Sequence, residues 1–260
     1  MSPASTTGGD RGGDHEGGGH DHGIGAAALL VSLQLTDSSF PSGFYTLSHG
    51  LEGYAQARAV TAEGVPELLA DLLRHSVGPS DATALALAHR AASAGDWAGL
   101  AETDGRLYAA KLNEGLRRAA TRTGHQLLDI ARECLPRNPA GETPGGEALE
   151  RYAELVAAKH APGTQAVAAG VAYAAASVPV RAAVVSDLFA FSASFTGAAL
   201  RLRLTDHRRA QVVLRAVAPV IEEVAESALR RELADLGGCV PLADVMSARH
   251  ERAEARLFAT

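Results

Sequence analysis

The sequence predicts an all-α protein, a single-domain bundle of about ten helices that follows a disordered N-terminal tail rich in glycine and histidine. Apolar residues recur at helical spacing along almost the whole chain from Gly25 onward, and no segment shows the two-residue alternation of a half-buried strand. The length of 260 residues suits one large domain, without an interdomain linker or a fixed-period repeat. The predicted divisions are therefore a tail (residues 1–24), a helical body (25–245) and a C-terminal segment (246–260).

Residues 1–24 differ in composition from the rest of the chain. Glycines are interleaved with aspartates and histidines, and almost no apolar side chain is available to bury, so folding could not recover the entropy lost on ordering. His15, His20 and His22 place imidazole groups beside carboxylates, a combination that suits nickel, zinc or copper. Two interpretations stay open: a tail that captures metal, and a solvated leader that binds metal only weakly.

The first half of the body is predicted to contain three helices. Apolar residues between positions 65 and 73 fall on one helix face, with Thr61 as the N-cap. Pro79 is expected to open the next helix, and a third is expected from Asp96 to about Arg118. The stretch 137–146, rich in proline and glycine, gives the longest loop signal within the body.

The second half begins with three more predicted helices. A short helix over residues 149–158 is followed by an alanine-rich segment within 161–180. This segment carries no charge, but its many small and polar residues predict a core helix rather than a membrane span. Pro179 should separate it from a long helix that ends near Arg203.

A further helix is expected over residues 208–236, where the helical pattern is strongest. It carries a stripe of valines on one face, which predicts the side that packs on the core. Glu226 and Arg230 are spaced for an ion pair between adjacent turns of this helix. Gly237 and Gly238 are expected to end it, because glycine readily adopts the conformation found after a helix.

Composition and charge exclude several classes of function. With 24 Lys and Arg against 30 Asp and Glu, the formal net charge is −6, which argues against a general nucleic-acid binder. Cys134 and Cys239 lack the spacing of a disulfide framework, and the N-terminus lacks the pattern of a secretory signal. We therefore predict a cytoplasmic protein with no nucleic-acid partner and no membrane association.

The common sequence motifs of catalysis do not occur. No glycine is followed by Lys-Ser or Lys-Thr as in a P-loop, and neither HExxH nor GxSxG is present. His49 and Glu52, three residues apart on a predicted helix, reverse the Glu-x-x-His order of helical di-metal proteins, and no second pair accompanies them. A helical enzyme with a metal or small-molecule pocket is therefore the weaker alternative to a binding protein.

Five segments, taken in order, carry a resemblance to a known family. Residues 30–52 (LVSLQLTDSSFPSGFYTLSHGLE) combine a leucine-rich lead-in, a Thr-Asp-Ser step, a Pro-x-Gly turn and a closing Gly-Leu-Glu. Residues 113–117 hold a mid-chain glutamate, 159–170 a His-x-Pro and a later Gly, and 198–219 an Arg-Leu, Gln, Leu and Pro series. Residues 241–260 close on His-Glu and Arg-Leu-Phe. Together these segments resemble the UreF family of urease accessory proteins over all of the chain except its tail.

This resemblance implies an all-α homodimer without a catalytic centre. Members of the UreF family bind the accessory protein UreD, called UreH in some organisms, and then recruit the GTPase UreG. That assembly couples GTP hydrolysis to nickel insertion into apo-urease. The resemblance therefore implies UreD/UreH, UreG and apo-urease as partners, no stably bound cofactor, and nickel only in transit. A nickel-storage protein that acts through the histidine-rich tail is the remaining alternative.

The resemblance also implies which residues bind partners. Tyr45, His49 and Glu52 belong to the N-terminal signature, and Arg201 belongs to the Arg-Leu region. An arginine fork beside two apolar side chains suits a carboxylate on a partner, and the C-terminal ending supplies four candidates: His250, Arg256, Leu257 and Phe258. Structural alternatives stay open, namely a core or capping tyrosine at Tyr45, a helix-end charge at Glu52 and a snorkelling side chain at Arg201.

Overall fold

The computed structural model describes residues 24–135, 145–253 and 257–258. Within these ranges the chain forms eleven α-helices and no β-strand, so the predicted all-α class is confirmed. The helices are α1 (Ala26–Thr36), α2 (Leu51–Gln56), α3 (Val65–Leu72), α4 (Thr83–Ala94), α5 (Trp97–Ala110), α6 (Glu114–Cys134), α7 (Gly145–Ala157), α8 (Gln165–Ala175), α9 (Val180–Arg201), α10 (His207–Arg230) and α11 (Pro241–Glu251). His15, His20, His22, Arg256 and residues 137–144 of the predicted loop lie outside the described residues.

The centre of the fold is the packing of α8 against α4 and α6. Every residue of α8 from Gln165 to Ala174 is buried, as predicted for the alanine-rich core segment. A Cβ atom on Gly170 would lie 2.6 Å from the carbonyl oxygen of Leu85 in α4. A Cβ atom on Gly124 of α6 would lie 2.1 Å from the carbonyl oxygen of Gly163, just before α8. Glycine at these two positions therefore lets the backbones approach closely enough to fill the core.

Helix α9 is the long helix that Pro179 was predicted to separate from α8. Pro179 occupies its N-cap position, and the helix runs to Arg201. Of the helices described, this one is long and apolar enough to cross a membrane by length and composition, and 67% of its most apolar stretch is buried within the protein. Phe191 and Phe195 lie in the core, whereas Phe189 is exposed. These features are those of a core helix.

The region around Pro79 differs from the prediction. Pro79 does not open a helix but lies inside a π-helical segment (Leu73–Ala82) that joins α3 to α4. The wider turn of a π-helix tolerates a proline that has no N–H to donate. The predicted N-cap was also wrong: α3 begins at Val65 after Gly64, and Thr61 instead closes the preceding turn through its carbonyl oxygen.

The helix predicted from Asp96 to Arg118 is two helices. Asp96 caps α5 by accepting the N–H of Gly99 at 2.9 Å. The chain then leaves helical geometry at Lys111, and Asn113 caps α6 by accepting the N–H of Leu116 at 2.8 Å. The prediction failed because residues 111–113 continue the helical spacing of apolar residues, while the asparagine side chain competes for the backbone.

Helix α10 is shorter than predicted. Asp206 caps it by accepting two backbone N–H groups at 2.9 Å, and the helix ends at Arg230 rather than near Leu236. The valine stripe faces the core as predicted. Glu226, however, pairs with Arg181 of α9 at 2.5 Å and not with Arg230, because a neighbouring helix brings a closer cation than the next turn of its own.

Candidate partner-binding site

Glu52 fastens the C-terminal end of the chain to helix α2. The residue is 4% exposed. Its Oε2 accepts hydrogen bonds from the Nε2–H of His250 at 2.7 Å and from the N–H of Phe258 at 3.0 Å. Its Oε1 accepts the N–H of Leu257 at 2.8 Å. Since a buried carboxylate is stabilised by such donors, these four residues form one unit that joins the two ends of the helical body.

Helix α11 packs directly on α2 and is tied to the start of α6. A Cβ atom on Gly53 would lie 2.4 Å from the carbonyl oxygen of Met246, so α2 and α11 touch through their backbones. Asn113 donates from Nδ2 to the hydroxyl of Ser247 at 3.1 Å. The predicted division between residues 245 and 246 therefore falls inside a helix that contacts both α2 and the start of α6.

Arg201 connects the N-terminal signature to the C-terminal segment. Its guanidinium carbon lies 4.8 Å from the ring centroid of Phe258, within the range of a cation–π interaction. Its Nη2 donates to the carbonyl oxygen of Tyr45 at 2.6 Å, and its Nε donates to that of Gly197 at 3.2 Å. The side chain is exposed, so it holds two segments of its own chain at the protein surface.

The Tyr45 side chain is engaged within the chain. Its hydroxyl donates to the carbonyl oxygen of Thr36 at 2.6 Å, at the end of α1. Burial, with smaller contributions from the carboxylates of Asp187 and Asp37, raises the pKa of Tyr45 to about 12. The hydroxyl therefore stays a neutral donor to a carbonyl oxygen of its own chain.

His49 does not lie on a helix with Glu52, contrary to the prediction. It has a φ of 53° and stands in the turn before α2. Its Nε2 shares a hydrogen bond with the hydroxyl of Ser194 at 2.8 Å, and that hydroxyl also lies 3.3 Å from the carbonyl oxygen of Phe44. Burial lowers the pKa of His49 to about 3, so the imidazole is neutral near pH 7.

The structure thus brings most of the predicted site residues into one region, and direct contacts join six of them: Tyr45, Glu52, Arg201, His250, Leu257 and Phe258. Glu52 and His250 are buried, so their bonds organise the chain itself. Leu257 is 63% exposed, and Leu242 and Val245 of α11 are also exposed. A role of these residues in partner binding stays a prediction, as it does for Arg256.

A cavity of about 150 Å³ lies between α11 and the body of the protein. Helix α11 contributes Asp244 and Ser247 to its wall, and α9 contributes Asp187. Burial raises the pKa of Asp187 to about 6, an effect that its hydrogen bond from Gln165 at 3.0 Å opposes. The cavity adjoins His49, which lines its wall.

Asp104 is a second buried carboxylate and has no exposed surface. Its Oδ2 accepts the hydroxyl of Tyr152 at 2.8 Å and the N–H of Gly163 at 2.7 Å. Its Oδ1 accepts both the N–H of Thr164 at 3.0 Å and the hydroxyl of the same residue at 2.5 Å. Asp104 therefore fixes the turn between α7 and α8 against α5.

Sequence reasoning missed both Asp104 and Asp187, although helical periodicity contained a signal for each. Asp104 lies one turn from Leu100 and from Leu107, both buried, so it falls on the apolar face of α5. Asp187 lies one turn after the buried Val184 of α9. A carboxylate on the apolar face of a helix indicates either a hydrogen-bonded hub or a functional group.

The arrangement offers no dedicated metal centre in the part of the chain that the structure describes. Across residues 24–135, 145–253 and 257–258, no group of three or more His, Cys, Asp or Glu side chains is placed so that it could hold a metal ion. The histidines for which metal capture stayed one of two interpretations belong to the tail, outside these ranges. The chemistry that the described residues do show is the set of charge-assisted hydrogen bonds by which Glu52 positions the C-terminal end of the chain.

Comparison with known proteins gives consistent similarities over nearly the whole chain. The family model described as UreF matches residues 59–218. The urease accessory protein UreF of Azorhizobium caulinodans is 34% identical over 236 residues, which cover 90% of this chain and 94% of that protein. The urease accessory protein UreF 2 of Brucella canis is 30% identical, covering 88% and 91%. The urease accessory protein UreF of Trichodesmium erythraeum is 29% identical, covering 88% and 96%.

Proposed function

The chain belongs to the UreF family of urease accessory proteins, and we propose that it binds a UreD/UreH-type partner, recruits and regulates the GTPase UreG, and so supports nickel insertion into apo-urease. The family consists of accessory proteins of urease and not of catalytic enzymes, which removes the enzyme alternative. In this proposal the protein acts in the cytoplasm, holds no cofactor of its own and meets nickel only in transit.

The observation that carries the proposal is the bonding of Glu52 to the C-terminal segment. Glu52 binds the backbone N–H groups of Leu257 and Phe258, and Arg201 lies against the ring of Phe258. These contacts hold the segment in place while they leave Leu257 exposed. Because an ordered apolar side chain loses less entropy on binding than a free one, a segment fastened in this way suits partner capture.

Homodimerisation is part of the same proposal. Helix α1 packs one face on α9 and exposes leucines on another: Leu29, Leu30 and Leu33. Contiguous exposed apolar residues of this kind are typical of protein interfaces, so a second copy of the chain is the expected occupant of this face. A nickel store formed by His15, His20 and His22 stays an alternative that concerns residues outside those described.

The proposal is tested by capture of a UreD-type partner with the Glu52→Gln variant. Glutamine keeps the size of the side chain but places an NH₂ group against donors that now bond a carboxylate. We expect the variant to remain folded and dimeric and to capture the partner at least about tenfold less strongly in a pull-down, since hydrogen bonds to a charged group are lost. The matched control is Glu67→Gln on the exposed face of α3, which should capture normally.

Removal of residues 251–260 provides the stronger version of the same experiment. The truncated protein should keep its helical circular-dichroism spectrum, because Phe258 is the only removed residue within the described part of the chain that belongs to the hydrophobic core. It should fail to capture the UreD-type partner. Full complex formation by the truncated protein, or by Glu52→Gln, would contradict a role of this segment in assembly.

A further inference from the structure

The cavity between α11 and the body contains a carboxylate that the fold does not neutralise. Asp187 is 7% exposed and lines the cavity. Its Oδ1 accepts the Nε2–H of Gln165 at 3.0 Å, whereas its Oδ2 accepts no hydrogen bond from any residue that the structure describes. Every fully enclosed polar side-chain atom in those residues has a hydrogen-bond partner, so Oδ2 is not fully enclosed. The surfaces that Asp187 reaches are this cavity and a smaller neighbouring pocket beside Tyr45 and Tyr173. A buried carboxylate with one donor is incompletely compensated.

The other charged groups of the cavity wall do not compensate Asp187. Lys111 is engaged with Asp81, its Nζ donating to Oδ1 at 2.8 Å. Asp244 adds a second carboxylate from α11. His49 contributes no positive charge, because burial keeps it neutral near pH 7. The charges of Lys111 and Asp81 cancel within their ion pair. Among the described lining residues, the carboxylates of Asp187 and Asp244 therefore have no cation to balance them.

The apolar part of the wall indicates what kind of cation fits. The ring of His49 lies between the rings of Phe44 and Phe191, with centroid distances of 5.0 and 4.6 Å. All three residues line the cavity, together with Leu72 and Val77. Aromatic faces attract organic cations, and apolar walls favour a ligand with a hydrocarbon part.

A bare inorganic cation fits this wall less well. Magnesium and calcium require several oxygen ligands, and transition metals require several histidine, cysteine or carboxylate ligands. The described residues provide no group of three such side chains close enough to share an ion. A carboxylate oxygen beside aromatic rings is instead the arrangement that binds ammonium and guanidinium groups.

We propose that this cavity binds an organic monocation, an alkylammonium or guanidinium group, with Asp187 as its counter-charge. Gln165 holds Oδ1 in place, and Oδ2 accepts an N–H of the ligand. The rings of Phe44 and Phe191 contact the hydrocarbon part. The same group can be supplied by a free small molecule or by a lysine or arginine side chain of a partner, and both sources present identical chemistry to Asp187.

The experiment uses the full chain, with methylguanidinium as the probe and N-methylurea as an uncharged probe of nearly the same shape. Binding is followed by calorimetry or by chemical-shift titration at neutral pH, at concentrations far below those that unfold proteins. Asp187→Asn keeps an oxygen for Gln165 but removes the charge. Asp129→Asn, on the exposed face of α6, removes the same charge away from the cavity and is the matched control.

We expect saturable binding of methylguanidinium by the native chain and by Asp129→Asn. The affinity should fall about tenfold or more in Asp187→Asn, and N-methylurea should bind the native chain more weakly by a similar factor, because each change removes one charge-assisted hydrogen bond. Thermal melting verifies that both variants are folded. Absence of saturable binding, equal binding of the two probes, or native affinity in Asp187→Asn would overturn the proposal.

A final titration identifies the source of the cation. It is repeated with the UreD-type partner bound to the chain. Exclusion of methylguanidinium from that complex, reversed by substitution of a basic residue of the partner, assigns the site to a partner side chain. Unchanged binding of methylguanidinium in the complex assigns it to a free small molecule. Both results retain Asp187 as the counter-charge.

Discussion

Asp104 and Asp187 are both buried carboxylates on the apolar faces of helices, yet they accept very different numbers of hydrogen bonds. Asp104 receives four hydrogen bonds, from Tyr152, Gly163 and Thr164. Asp187 receives one, from Gln165, and faces an open volume. Burial alone therefore does not separate a structural carboxylate from a functional one; the number of donors that the fold supplies does.

Glu52 is a third buried carboxylate and lies between these two cases. It is bonded as fully as Asp104, but its donors His250, Leu257 and Phe258 belong to the C-terminal end of the chain rather than to the central helices. The same chemistry therefore has different consequences. Loss of Asp104 should affect the whole fold, whereas loss of Glu52 should release one segment.

The largest expected effect is that of Asp104→Asn on global stability. The NH₂ group of asparagine would face the N–H of Gly163, so two donors would confront each other in a fully buried place. We expect a loss of roughly 3 to 5 kcal/mol in the free energy of unfolding, measured by urea denaturation. The exposed Asp129→Asn should stay within about 0.5 kcal/mol of the native chain. An equally small change in the free energy of unfolding of Asp104→Asn would show that the four hydrogen bonds of Asp104 do not stabilise the fold as proposed.

Asp187→Asn is expected to change stability in the opposite direction. The pKa of Asp187 is raised from 3.8 to about 6 in the folded protein, so the folded state binds this proton more tightly than the unfolded state. The stabilisation from protonation is complete below about pH 4 and is lost as the pH rises through about 6. At neutral pH the asparagine variant should therefore be more stable by about 1 to 3 kcal/mol.

Urea denaturation over a pH series measures this effect. The difference between Asp187→Asn and the native chain should grow between about pH 4 and pH 7 and then level off. A difference that does not vary with pH would show that Asp187 does not titrate in this range. A variant less stable at neutral pH would show that the Asp187 carboxylate is compensated after all.

The smallest global effect is expected for Glu52→Gln. Because its donors lie at the chain end, the free energy of unfolding should fall by less than about 1 kcal/mol. Hydrogen exchange at the N–H groups of Leu257 and Phe258 should nevertheless become much faster, since both lose a charged acceptor. Unchanged hydrogen exchange at these two positions would contradict this prediction. A decrease in the free energy of unfolding as large as that of Asp104→Asn would also contradict it, because Glu52 would then stabilise the whole fold as Asp104 does.

Local sequence patterns predicted much of the helical framework. The errors concern helix boundaries that depend on a capping side chain or on packing with neighbouring segments. The stripe of α10 and the separation of α8 from α9 at Pro179 follow from periodicity and proline geometry. The break at Lys111 depends on the Asn113 side chain, which caps a new helix where apolar spacing predicted continuation. Pro79 was misread because a π-helical turn, held by its neighbours, accommodates it.

The sequence predicted which residues belong to the candidate site, but not which hydrogen bonds join them. Tyr45, Glu52, Arg201 and the C-terminal ending were identified from segments that resemble the UreF family. Nothing in those segments indicates that Glu52 binds the N–H of Leu257, which lies 205 residues away. Every residue except proline has a backbone N–H group, so the sequence does not indicate which of these groups binds a given side chain. Such a hydrogen bond is found only in the folded structure.

By itself the sequence determined the all-α class, most of the helices and the family, because helical periodicity and ordered motifs are local properties. Only the tertiary structure decided that α11 covers a cavity, that Asp104 is saturated and that Asp187 is not. Those facts depend on how many donors reach a buried oxygen from elements distant in the chain, and on the volume left where helices meet. Both are set by packing rather than by neighbouring residues.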